Sequence, residues 1–165
     1  MFTQAEDPLR SPILLPMAAL YLLGGAVGLF ELVPRLNGAS MSLPEALVNL
    51  FHLALLLAAM MGSVQLLLRR GNAVRVLFWL SWLCVPTIET PWLMYGCGFA
   101  LDVVPEVSLY VGTLTPSMHV HFGHRFALLQ VPGWPSLGAG VNLAEHGCAL
   151  ILGRLEAVPP ARHLA

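Results

Sequence analysis

Six histidines and nine carboxylates are scattered through a chain of 165 residues that is otherwise mostly apolar. Three groups of them have spacings that suit chemistry. His119, His121 and His124 fall within one hexapeptide. Imidazole titrates near neutral pH and is the commonest metal ligand, so this cluster is a candidate site for a transition metal or haem, or a pH sensor. Spacings of two and then three residues suit a strand or loop better than a helix, and they match neither a zinc finger nor HExxH. Asp102, Glu106 and Met118 are near enough in sequence to complete a ligand shell. The competing expectation is an interfacial loop whose histidines bind headgroups or nothing.

Glu89 is the sharpest single residue. It sits between Pro86 and Pro91 near the middle of an apolar run. A carboxylate at mid-bilayer costs about 2.5–3.5 kcal/mol on insertion scales, so such residues turn inward and serve protons, ions or ligands. A neutral glutamic acid donating one hydrogen bond to a neighbouring helix is the plainer alternative. Glu45, Asn49 and His52 recur at i, i+4 and i+7 and so share one helical face. Hydrogen bonds across helices would explain that stripe without a ligand, although His52 also extends the set of possible metal or haem ligands. Glu145 and His146 are adjacent and diverge by roughly 100° on a helix, so one of them lines the interior; His146 joins the candidate ligand set. No nucleotide-binding glycine loop, GxSxG or CxxCH occurs, and enzymatic activity is the weaker expectation.

These residues need elements to position them, and the composition indicates which solvent those elements meet. Hydrophobic residues make up 57% of the chain and charged residues 10%. Soluble domains carry about 25% charged residues, so the deficit predicts a bilayer environment. A net charge of −1 leaves no basic patch suited to nucleic acid. Cys84, Cys97 and Cys148 form no CxxC pair and are expected as buried free thiols. Glu6 and Asp7 are wrong for the basic start of a signal peptide.

Apolar runs of about 20 residues, the length needed to cross the hydrocarbon core, predict an all-α integral membrane protein. The expected fold is a four-transmembrane-helix bundle with a kinked or broken third helix. The whole chain, 1–165, forms one membrane domain with spans near 12–33, 44–68, 76–101 and 136–152. The histidine cluster then lies in a loop over 102–135. A competing arrangement uses 102–118 as the fourth span. Gly24 and Gly28, and likewise Ala58 and Gly62, are small-residue pairs four apart that favour close helix packing. Arginine distribution around the spans places both termini in the cytoplasm of a bacterial inner-membrane protein. The leading functional expectation is a non-enzymatic structural or accessory subunit, with the bilayer, other membrane proteins or further copies of itself as partners. The alternatives are metal or haem binding through His119, His121 and His124, and proton or ion translocation through Glu89.

Overall fold

The computed structural model describes residues 11–37, 41–70, 72–91, 93–99, 101–110, 112–122, 124–129 and 136–156. It corrects the all-α expectation: four helices are joined by a six-stranded antiparallel sheet, so the protein is a mixed α/β fold and not a four-helix bundle. The order is α1 (Leu14–Leu36), α2 (Leu43–Leu67), α3 (Asn72–Cys84), β1 (Pro86–Glu89), β2 (Met94–Gly98), β3 (Leu101–Tyr110), β4 (Thr113–Phe122), β5 (Arg125–Leu129), β6 (Ser136–Val141) and α4 (Leu143–Glu156).

Two of the four expected spans are helices long and apolar enough to cross a membrane, α1 and α2. The start of α2 is specified locally by a capping box. Ser42 Oγ accepts from the Glu45 N–H at 3.4 Å, and Glu45 Oε2 accepts from the Ser42 N–H at 2.8 Å. Its end is a left-handed cap at Arg69 (φ 57°), with the Arg69 and Arg70 N–H groups each donating at 2.9 Å, to the Leu66 and Gln65 carbonyls. The two helices form an antiparallel hairpin. Gly28 is buried where α1 crosses Leu56, and a Cβ there would collide with Leu56 and with the His124 ring.

The expected third span, 76–101, is only partly helical. α3 stops at Cys84, because Pro86 removes a backbone donor and restricts Val85 to extended geometry. The chain then turns into the β1–β2 hairpin. The expected loop, 102–135, contains β3, β4 and β5, and the expected fourth span, 136–152, divides into β6 and α4. Neither of the competing fourth spans is a continuous helix. Residues 102–122 alternate polar and apolar, which is the period of a strand with two different faces. Asn142 begins α4: its Oδ1 accepts from the Glu145 N–H at 3.3 Å.

In pairing order the sheet runs β4-β3-β6-β1-β2-β5, with β6 inserted between β3 and β1. α2 and α3 pack over the β2–β5 part, where Phe126 stacks on the His52 ring at 4.0 Å between centroids, and α4 packs on β3. The core between the layers includes Tyr21, Leu56, Leu77, Cys84, Cys97, Phe99 and Leu152.

Candidate functional site: a polar trough inside the curled sheet

Antiparallel partners point to the same side of a sheet, so the register sorts the side chains directly. Asp102 pairs with His121, Val104 with His119, Glu106 with Ser117, and Ser108 with Thr115. Glu89 and Thr87 join the same face through Gly138 and Gly140. Those two glycines leave room for the larger neighbours: a Cβ on Gly138 would lie 2.6 Å from Glu106 Oε1, and one on Gly140 would lie 2.6 Å from Thr87 Oγ1. This face carries nearly all the sheet's polar side chains. The opposite face carries Ile88, Val107, Leu114, Met118, Val120, Leu137 and Val141, all exposed.

The polar face is concave. A cavity of about 980 Å³ is lined by Glu89, Glu106, Ser108, Thr115, Ser117, His119, His121 and Arg125, together with Met118 and Val120. Its walls include both edge strands, β4 and β5, which a flat six-stranded sheet would hold about 24 Å apart. The sheet must therefore curl. Within the trough Ser108 Oγ donates to Glu106 Oε1 at 3.2 Å, and His119 Nε2 lies 3.8 Å from Glu106 Oε2 and 3.1 Å from Ser117 Oγ. Next to it Asp102 is buried, accepting from Asn142 Nδ2 at 2.7 Å.

The trough gathers five of the residues singled out by sequence, Glu89, Glu106, Met118, His119 and His121. It does not gather His124. That side chain turns to the helical layer, where its Nε2 lies 2.6 Å from His52 Nε2 and the rings stack with an interplanar angle of 12°. Among the described residues no three His, Cys, Asp or Glu side chains are grouped so as to hold a metal ion. Glu45 serves the α2 cap, Asn49 Nδ2 meets Met41 Sδ at 3.5 Å, and His146 packs edge-on against Trp82. Gly24 and Gly28 are buried in α1, Gly62 is buried against Leu77 of α3, and Ala58 is half-buried.

Sequence reasoning missed Arg125 and the hydroxyls of Ser108, Thr115 and Ser117 as companions of the histidines. The signal was present in the alternation of Thr115, Ser117, His119 and His121 with Leu114, Pro116, Met118 and Val120. It also missed a second buried polar cluster between the layers. Tyr21 hydrogen-bonds both Ser81 and Glu145, and the Phe99 N–H donates to Glu145 Oε1 at 3.0 Å. Compared with protein-family models, curated proteins and solved structures, the chain matches none.

Proposed function

We propose that this chain is an integral membrane protein that binds a small zwitterionic solute in the trough, as an accessory binding subunit. The observation that carries this reading is an inverted distribution of polarity. Among the described residues, every exposed Asp, Glu or Arg lies near one of the two ends of the α1–α2 hairpin. Glu31, Arg35 and Glu45 surround its turn; Arg69, Arg70, Arg75, Arg154 and Glu156 surround the other end, where Arg75 and Glu156 approach to 3.5 Å. Between them the outer surface is apolar on helices and sheet alike, and the polar groups face inward.

That pattern suits a bilayer. The 25 residues of α2 span about 37 Å at 1.5 Å per residue, enough for a hydrocarbon core of about 30 Å. Sheet backbone at that depth is tolerated where it lines a wet cavity. Curling brings edges β4 and β5 to the same trough, whose water satisfies their free N–H and C=O groups. The cavity falls in the size range of small-molecule sites. Its carboxylates, Glu89 and Glu106, suit an ammonium group, and the guanidinium of Arg125 suits a carboxylate.

The test is a thermal-shift titration of detergent-purified protein with amino acids, simple amines and simple carboxylates. The expected result is a rise in melting midpoint for the zwitterions. Arg125→Ala should weaken it tenfold or more, as loss of one charge-assisted bond implies. Equal indifference to all three classes would overturn the reading. Proton translocation is the second reading, favoured by the place of Glu89 in the trough; Glu89→Gln would then abolish proton flux in liposomes and leave the fold intact.

A further inference from the structure

Cys84 and Cys97 belong to different layers, at the last turn of α3 and in the middle of β2. Their Sγ atoms are nevertheless 2.9 Å apart, and the residues are 0% and 1% exposed. One hydrogen bond joins the segments that carry them: the Tyr95 hydroxyl, two residues before Cys97, donates to the Leu83 carbonyl at 2.5 Å. The residue after Cys84 is fixed separately, since the Val85 carbonyl accepts from the Asn142 N–H at 2.7 Å. The end of α3 is thus held over β2, and the two thiols face each other. A disulfide bond is about 2.05 Å long, so closing the pair needs a displacement that side-chain rotation supplies.

We propose that Cys84 and Cys97 are a redox-active dithiol that a small peroxide converts to an intramolecular disulfide. One thiol sulfur attacks the O–O bond of hydrogen peroxide. It becomes a sulfenic acid, and the departing hydroxide leaves as water with the thiol proton. The second sulfur then displaces the sulfenic hydroxyl, which takes the second thiol proton and leaves as water. Two thiols and one peroxide give one disulfide and two waters. Burial selects a small oxidant, since a tripeptide disulfide does not fit beside sulfurs this enclosed. It also makes the reaction slow, because peroxide must reach sulfurs that are almost wholly enclosed. Cys148 is the internal control. It is half-buried in α4, and no sulfur is recorded against it.

The experiment is a hydrogen peroxide titration of the full-length protein in mild detergent, followed by unfolding, N-ethylmaleimide alkylation and mass spectrometry. The expected result is a species lighter by two hydrogens that takes up a single maleimide, on Cys148. Digestion should yield a Cys84–Cys97 linked peptide that dithiothreitol separates, and Cys97→Ser should abolish it. Three alkylatable thiols at peroxide doses that fully oxidise free glutathione would overturn the proposal. So would separate sulfinic acids at Cys84 and Cys97, or a link through Cys148. The wild-type spectrum decides these outcomes even if Cys97→Ser fails to fold, and Cys97→Ala supplies a second variant.

Discussion

Two imidazoles whose Nε2 atoms are 2.6 Å apart share one proton. One of His52 and His124 must donate and the other accept, so the pair requires opposite tautomers. Adding a proton to the accepting nitrogen sets two N–H groups against each other. His124→Phe keeps a flat ring but leaves the buried His52 Nε2 unpaired, which should cost about 1–3 kcal/mol, read as a lower melting midpoint; an unchanged midpoint would contradict the pairing. Glu145 is held in the same way by two distant partners, the Tyr21 hydroxyl and the Phe99 N–H.

Elements in this chain are set partly by local signals and partly by distant partners. The cap of α2 is local, and it carries a measurable flaw. Arg69 adopts a left-handed conformation that glycine reaches at no steric cost. Arg69→Gly should raise stability by about 1 kcal/mol, visible as a higher melting midpoint; a lower midpoint would show that the arginine side chain contributes more than its backbone costs. Local signals also made α1 and α2 legible in the sequence to within a few residues. The stop at Pro86 was visible too, but a long apolar run outweighed it. Apolar content does not distinguish a helix in lipid from a strand whose outer face is equally greasy. The alternation over 102–122 does distinguish them, and it identifies β3 and β4. What no local pattern carries is pairing at a distance. His52 and His124 are 72 residues apart, and Tyr21 and Glu145 are 124 apart. The histidine hexapeptide reads as one cluster in sequence, yet His124 packs on His52 in the helical layer while His119 and His121 line the trough.

At the scale of the whole molecule, the exposed Asp, Glu and Arg side chains among the described residues are confined to two ends, and large apolar side chains dominate the surface between them. The sheet's outward side chains continue the surface that α1 and α2 begin. For a water-soluble protein so much contiguous exposed apolar area would be an aggregation hazard; for a membrane protein it is the surface that meets acyl chains. β4 reports on this most directly, because the register puts Leu114, Met118 and Val120 on the outward face and Thr115, Ser117, His119 and His121 on the trough face of an edge strand whose Met118 and Val120 also border the cavity. The deciding measurement is spin-label accessibility along β4, one nitroxide at a time, in a cysteine-free protein reconstituted in vesicles. Labels at 114, 118 and 120 should collide with oxygen dissolved in lipid, and labels at 115, 117, 119 and 121 with a water-soluble nickel complex, giving a period of two. Uniform access to the nickel complex at all seven positions would place the sheet in water and contradict the account.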